Sequence, residues 1–249
     1  MQYITQSYEQ AKKRLMLLDY DGTLAPFTGD PTQAKPSPKV LQTLKSLSSN
    51  PANTVVIISG RDHATLQAWL GHLPILMYAE HGVLRRNKNG VWSSLAAADM
   101  PWRKKVQQLF DTATKIVNGS FIETKTAGLA WHYRAATSLA AAQKQRGFLL
   151  SQLDEAAKNS GFEILDGNKV IEAKPVGITK GSAVTGLLAS FPSDFVLCAG
   201  DDVTDEAMFK VLPESAYSIK IGAGQTTARF TLPACDDFIA LLTGLAAKP

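Results

Sequence analysis

Two aspartates separated by one residue, Asp19 and Asp21, follow a short apolar run. That run is Leu15–Leu18, and Gly22 and Thr23 come after the second aspartate. A short apolar run that ends in a glycine turn is typical of a central strand of a parallel sheet, where ligands bind beyond the carboxyl ends of the strands. Two acids at such a position suffer desolvation and mutual repulsion unless a partner compensates them. A single aspartate would be interpreted as a helix N-cap, but the pair favours a divalent cation such as Mg²⁺, which binds carboxylates together with substrate phosphate.

Three further apolar segments also end in polar residues. These are Ser59 after residues 54–58, Glu80 and His81 after residues 75–79, and Asp201 and Asp202 after residues 195–199. Because the carboxyl ends of parallel strands share one edge, we expect these residues to meet in one cleft, where Asp201, Asp202 and Asp205 would complete an oxygen-rich cation site. Lys180 begins a helical pattern, and the N–H groups of a helix start favour anions. Taken alone, Lys180 would be interpreted as an exposed helix lysine and Ser59 as a turn residue. Their placement together with the aspartates favours a role for both in the site.

The elements that must position these residues form two kinds of pattern. Strand and helix patterns alternate at both ends of the chain, which predicts an α/β fold with a doubly wound, mostly parallel sheet of the Rossmann type. Between them lies a block with the order helix, strand, strand, helix, strand, strand. Asp166, Gly167 and Asn168 predict a hairpin turn between its last two strands. We therefore predict a core of residues 1–101 and 176–249 and an inserted α/β domain of residues 102–175.

Composition excludes several classes of protein. The chain has 249 residues, 45% of them hydrophobic and 19% charged, which is ordinary for a packed globular protein. No segment approaches the roughly 18 apolar residues of a membrane span, and residues 1–14 lack the apolar region of a signal peptide. The net charge of +4 is scattered along the chain, so we expect no nucleic-acid partner. Only Cys198 and Cys235 occur, and we expect a cytoplasmic monomer without a membrane partner.

The polar residues at the strand ends resemble the four motifs of the haloacid dehalogenase superfamily of phosphohydrolases. The matching positions are Asp19-x-Asp21-Gly22-Thr23, Ser59, Lys180 and Gly200-Asp201-Asp202-x-x-Asp205. The inserted αββαββ block resembles the large α/β cap (C2-type) that this superfamily places after the second motif. Three shorter segments resemble trehalose-6-phosphate phosphatases, namely residues 58–61, 79–82 and 200–206.

The resemblance implies roles for the core residues. Asp19 would be the nucleophile that forms an aspartyl-phosphate, and Asp21 the general acid and then the general base. Mg²⁺ would be held by the Asp19 side chain, the Asp21 backbone carbonyl and Asp201. Ser59 and Lys180 would bind the remaining phosphoryl oxygens. Two more aspartates would tune Lys180 and the water on the metal; they are Asp202 and Asp205.

The sugar is expected to contact charged groups of the inserted domain. The candidates are Glu123, Lys125, Glu172 and Lys174, with His132 on a neighbouring strand. The alternative is a pair of exposed cross-strand ion pairs worth about 0.2–1 kcal/mol each; the resemblance favours sugar binding. The core side of the same pocket would be lined by Arg61, Glu80, His81 and Gly82.

The expected activity is therefore Mg²⁺-dependent hydrolysis of trehalose 6-phosphate to trehalose and phosphate, a step of trehalose biosynthesis. Its partner would be this small sugar phosphate. Two alternatives stay open: a phosphatase of another sugar phosphate, such as sucrose phosphate or mannosyl-3-phosphoglycerate, and a non-catalytic regulator that binds a sugar phosphate. Degenerate relatives typically lose motif carboxylates, whereas Asp19, Asp21, Asp201 and Lys180 are all present here.

Overall fold

The structure is a computed structural model that describes residues 2–28, 30–95 and 100–248, without the side chain of residue 31. Its contacts divide the chain into two compact units. The larger one consists of Met1–Leu95 and Thr179–Pro249, and the smaller one of Ala96–Ile178. The smaller unit includes the predicted inserted block of residues 102–175 and extends a few residues beyond it at each end.

Strands and helices alternate along the described part of the chain. The strands are β1 (Arg14–Leu18), β2 (Asn53–Ile58), β3 (Leu76–Ala79), β4 (Leu84–Arg86), β5 (Trp92–Ser94), β6 (Phe121–Thr124), β7 (Leu129–His132), β8 (Phe162–Gly167), β9 (Val170–Pro175), β10 (Phe195–Gly200), β11 (Tyr217–Ile221) and β12 (Phe230–Leu232). The helices are α1 (Gln2–Gln10), α2 (Pro38–Ser49), α3 (His63–Leu70), α4 (Trp102–Ile116), α5 (Leu139–Ala157), α6 (Lys180–Ser190), α7 (Val203–Phe209) and α8 (Cys235–Ala246). Within the described ranges, no helix combines the length and apolar character that crossing a bilayer requires.

The larger unit is built on an eight-stranded sheet in the order β12-β11-β10-β1-β2-β3-β4-β5. The first six of these strands run parallel, and β4 and β5 are antiparallel additions at one edge. In the central strand β1, Leu15 and Leu17 join a buried cluster with residues of α6 and α7. Met16 and Leu18, whose side chains point to the opposite face, are fully buried as well. The predicted α/β class with a mostly parallel sheet is confirmed.

The smaller unit has the predicted αββαββ order. Its sheet follows the order β6-β7-β9-β8, and every neighbouring pair is antiparallel. One face of this sheet carries apolar side chains that pack in a cluster with α4 and α5, including Trp131 and Ile171 from the sheet and Phe110 and Leu149 from the helices. The apolar side of α4 and alternate residues of β7 and β9 thus pack into one core within the smaller unit.

Some local predictions were wrong or incomplete. The turn between β8 and β9 is formed by Asn168 and Lys169, because β8 continues to Gly167, which pairs with Val170. Lys169 has a φ of 63° and so supplies the left-handed position of this turn. Sequence analysis also missed α1, β4, β5 and β12. The three strands have three residues each, which is too short to show a period, and they lie at or next to the edges of the sheet.

Candidate active site

The acids of the first and last motifs meet at the carboxyl edge of the large sheet. β1 and β10 are neighbours, with Leu18 opposite Ala199, and the Asp19 N–H donates to the Ala199 carbonyl over 3.0 Å. One carboxylate oxygen from each of Asp19, Asp201 and Asp205 lies within 4.8 Å of the others. The parallel topology therefore brings together residues that are about 180 positions apart in the sequence, as the strand-end argument predicts.

Gly22 makes this approach possible. Its φ is +76°, and a Cβ at this position would lie 2.1 Å from Oδ2 of Asp201. The Asp201 carboxylate therefore rests directly on the backbone of Gly22, in space that any other residue would fill. The glycine is needed both for the left-handed turn and for the position of this acid.

Lys180 is the buried cation of the cluster. Its Nζ donates to Oδ1 of Asp19 over 2.6 Å and to Oδ1 of Asp205 over 2.7 Å. It is the first residue of α6, which begins at the N-cap Thr179. Burial disfavours the charge of Lys180, but the two carboxylates outweigh burial and hold its pKa above the ordinary value. Burial raises the pKa of Asp19 well above its ordinary value, and the Lys180 charge opposes this rise.

The two other acids after β10 have different surroundings. Asp205 is fully buried; its Oδ1 binds Lys180, while its Oδ2 accepts the N–H groups of Asp201 and Asp202 over 2.9 Å each. The side chain of Asp202 instead accepts the Val203 N–H over 2.7 Å and caps α7. The predicted contact with Lys180 is thus present for Asp205, whereas Asp202 caps a helix. Burial and the neighbouring Asp205 charge raise the pKa of Asp201 to about 6.

Backbone hydrogen bonds join the loop after Ser59 to the turn of residues 80–82. The Glu80 N–H donates to the Arg61 carbonyl and the His81 N–H to the Ser59 carbonyl, both over 2.9 Å. Glu80 and His81 both have left-handed backbones, with φ of 51° and 57°. Two consecutive non-glycine residues in this region are a strained arrangement of the kind that clusters at functional sites. The Ser59 hydroxyl oxygen accepts the Arg61 N–H over 3.1 Å.

Arg61 binds Asp21, a contact that sequence analysis missed. Its Nε and Nη2 donate to the two carboxylate oxygens of Asp21 over 2.8 and 2.7 Å. The guanidinium also lies 4.6 Å from the centre of the Trp69 ring, within the range of a cation–π contact. Because β1 and β2 are parallel neighbours, opposite charges just after their ends were the available signal for this pair. In this structure Arg61 binds Asp21, and its contact with substrate stays a prediction.

A group of charged and titratable residues in the smaller unit shares one face of its sheet, opposite the apolar cluster. We call this the charged face; it consists of Glu123, Lys125, His132, Glu163, Glu172 and Lys174. Two ion pairs and one hydrogen bond connect these residues: the ion pairs join Lys125 with Glu172 at 2.7 Å and Lys174 with Glu163 at 2.6 Å, and the hydrogen bond joins His132 with Glu123 at 2.7 Å. Glu163 was missed because it lies on β8, outside the two segments that carry alternating charges. The side chains of Lys125 and Glu172 are only 11% and 9% exposed. This pair therefore does not fit the alternative in which these charges form exposed ion pairs without a role in binding.

The acidic cluster suits a hard divalent cation. All its donors are carboxylate oxygens, which Mg²⁺ prefers, and the Gly22 backbone leaves the space that Asp201 uses to approach Asp19. Asp205 already binds Lys180 and two N–H groups, so Asp19 and Asp201 are the side chains suited to a metal. A cavity of about 340 Å³, lined by Gly22, Phe27, Asp201 and Cys235 among others, opens beside the cluster in the larger unit.

Comparison with known proteins agrees with this geometry. A family model described as Trehalose-phosphatase matches residues 17–233. The chain belongs to the trehalose-phosphatase family. The matched region contains the motif residues at the strand ends, from Asp19 to Asp205, and the whole smaller unit.

Individual relatives support the same membership. The chain is 44% identical over 223 residues to the bifunctional trehalose-6-phosphate synthase/phosphatase of Thermoproteus tenax, covering 90% of this chain and 30% of that protein. It is 39% identical over 232 residues to a trehalose-phosphatase of Schizosaccharomyces pombe, covering 87% and 28%. The chain thus spans less than a third of the length of these curated relatives. The solved C-terminal domain of C. albicans trehalose-6-phosphate phosphatase superimposes with a TM-score of 0.88 at 34% identity, covering 100% of this chain and 97% of that domain.

Proposed function

We propose that this chain hydrolyses trehalose 6-phosphate to trehalose and phosphate in a Mg²⁺-dependent reaction. The observation that carries the proposal is the cluster of Asp19, Lys180 and Asp201 at the sheet edge. Relatives of this chain are named for trehalose-phosphatase activity, which favours this sugar phosphate over others. The cytoplasmic compartment and the monomeric state stay predictions from the sequence.

The cation would be held by the side chains of Asp19 and Asp201 and the backbone carbonyl of Asp21. When bound, Mg²⁺ supplies positive charge that favours the ionised form of Asp19 and screens its repulsion from the phosphoryl group. Lys180 places a second fixed positive charge beside the nucleophile, because its Nζ lies 2.6 Å from Oδ1 of Asp19. The buried lysine thereby orients the nucleophile and is available to a phosphoryl oxygen.

The reaction divides into two displacements. A carboxylate oxygen of Asp19 attacks phosphorus, the bond from phosphorus to the sugar oxygen breaks, and Asp21 donates a proton to that oxygen. Asp21 then removes a proton from water, whose oxygen attacks phosphorus and breaks the bond to Asp19, releasing phosphate. Both oxygens of Asp21 accept hydrogen bonds from Arg61 in this structure, so proton delivery requires at least one of these bonds to break.

Recognition of the sugar is proposed for the charged face of the smaller unit. Carboxylate and ammonium groups make strong, directional hydrogen bonds to hydroxyls, and a disaccharide presents many hydroxyls. Glu123, Glu163 and His132 are its more exposed members, with side chains 43%, 36% and 28% exposed. They are therefore the members of this face that are most accessible to a ligand.

Phosphate release from matched substrates tests the proposal. The chain would be assayed with trehalose 6-phosphate, sucrose phosphate, mannosyl-3-phosphoglycerate and glucose 6-phosphate, in Mg²⁺ and after addition of EDTA. We expect kcat/KM to favour trehalose 6-phosphate by orders of magnitude and EDTA to abolish release. A preference for another sugar would overturn the substrate assignment. Calorimetric binding of trehalose 6-phosphate without release of phosphate would instead support a non-catalytic regulator.

A further inference from the structure

Lys220 is a buried lysine on the strand next to the Asp201 loop. It is the second-last residue of β11 and lies opposite Gly200, the last residue of β10, in the parallel register. The residue is only 6% exposed. Lysines are almost never this buried unless the ammonium has a partner. The position of Lys220 at the carboxyl edge of the sheet therefore requires an explanation.

The ammonium group of Lys220 binds the main chain of the Asp201 loop. Its Nζ donates a hydrogen bond to the backbone carbonyl of Asp201. On the other side of the same residue, the Asp201 N–H donates to the Asp205 carboxylate over 2.9 Å. The main chain of Asp201 is thus held at both ends by charged groups, and hydrogen bonds to charged groups are stronger than neutral ones. With its backbone fixed in this way, the Asp201 carboxylate is held against Gly22.

Glu206 extends this arrangement. Its carboxylate accepts the N–H and the hydroxyl of Thr227, both over 2.7 Å, which ties the segment after β11 to α7. Burial opposes the charge of Glu206, but the hydrogen bonds from threonines and the nearby Lys220 charge lower its pKa overall. The Lys220 charge thus acts on a second acid, Glu206, which anchors the loop that follows β11.

We propose that Lys220 is a positioning residue that sets the affinity for Mg²⁺ by holding the Asp201 main chain in place. The inference deepens the proposed function and rests on it, since it takes Asp201 as a Mg²⁺ ligand. The charge of Lys220 alone would have the opposite effect, because a fixed positive charge near a cation site repels the cation. The sign of the change in Mg²⁺ affinity on removing Lys220 therefore separates positioning from simple charge.

The test measures Mg²⁺ binding directly, by isothermal titration calorimetry on the full chain without substrate. For Lys220→Met we expect Mg²⁺ affinity to fall by about 10–100-fold, the usual effect of removing a group that orients a metal ligand. Lys220→Arg should restore most of the affinity, because it keeps a cationic donor. At saturating Mg²⁺, the KM for trehalose 6-phosphate should change little. Lys210→Met is the charge-matched control: this exposed lysine follows α7, and its removal should leave affinity unchanged.

Different results would contradict the positioning role of Lys220 and the metal assignment on which it rests. Unchanged or tighter Mg²⁺ binding by a folded Lys220→Met variant would overturn the positioning role. If circular dichroism shows that this variant does not fold, Lys220→Gln replaces it, because its shorter, uncharged amide is a weaker donor to the same carbonyl. Weaker Mg²⁺ binding by Lys220→Gln then supports the role, and wild-type or tighter binding overturns it. Failure of the wild-type chain to bind Mg²⁺ would overturn the metal assignment of the proposed function instead.

Discussion

A single methyl group at Gly22 should separate folding from catalysis. Gly22 has a φ of +76°, a conformation that costs an L-residue roughly 1–2 kcal/mol. For a chain of this size, about 1 kcal/mol lowers Tm by about 2–4 °C, so the backbone penalty in Gly22→Ala should lower Tm by about 2–8 °C. The variant should therefore still fold at room temperature.

The loss of activity in Gly22→Ala should be much larger than the loss of stability. The new Cβ would lie 2.1 Å from Oδ2 of Asp201, whereas real Cβ contacts are essentially never under 3.0 Å. The Asp201 carboxylate must therefore move by about 1 Å, and a displacement of this size in a catalytic site costs on the order of 10²-fold in rate. Mg²⁺ affinity should fall as well, because Asp201 is one of the two proposed side-chain ligands.

Gly161→Ala is the matched control for this experiment. Gly161 has the same φ of +76°, but a Cβ added there would meet nothing within 4 Å. The two variants should therefore show similar shifts in Tm by differential scanning fluorimetry. Only Gly22→Ala should lose phosphate release and Mg²⁺ binding. A Gly22→Ala enzyme with wild-type kcat and Mg²⁺ affinity would refute the argument that this close approach positions Asp201.

Further predictions concern the other groups of the two units. Asp19→Asn should abolish phosphate release because it removes the nucleophile; turnover near the wild-type rate would end the covalent mechanism. Lys180→Met should lower the free energy of unfolding by about 3–5 kcal/mol, because it leaves two buried carboxylates without their cation, and urea titration would show an unchanged midpoint if that reasoning is wrong. Glu123→Ala should reduce kcat/KM for trehalose 6-phosphate far more than for p-nitrophenyl phosphate, and equal losses on both would indicate a structural role for the charged face.

The sequence was sufficient to predict that Asp19 and Asp201 lie close together, because a topological rule connects strand ends. Asp19 and Asp201 each follow an apolar run, and parallel strands place such ends on one edge. No comparable rule covers contacts made by long side chains. Arg61 could reach substrate or Asp21 from the same backbone position, and only the coordinates show the second arrangement. Lys220 left a weaker signal, a single charge in an otherwise uncharged strand.

The limits of the fold prediction have a similar physical origin. The helix α4 is recognisable from its repeated apolar positions, and the strand β10 from its continuous apolar run. The short strand β4 depends on pairing with β3, and the edge strand β5 depends on pairing with β4; local sequence does not encode such pairing. The hairpin after Gly167 shows the same effect: Asp-Gly is a strong turn signal, but pairing of Gly167 with Val170 moved the turn to Asn168 and Lys169.

The distribution of charge in the cluster favours Asp201 over Asp205 as the ligand of the proposed cation. Lys180 compensates Asp19 and Asp205 through their side-chain oxygens, whereas Lys220 contacts Asp201 only through its carbonyl. Among the residues that the structure describes, no cationic side chain forms an ion pair with the Asp201 carboxylate, and its pKa is raised to about 6 by burial and by Asp205. An acid in this position gains more from a bound cation than an acid that already has a lysine. Mg²⁺ binding should therefore compensate mainly the charge of the Asp201 carboxylate, with which neither Lys180 nor Lys220 forms an ion pair.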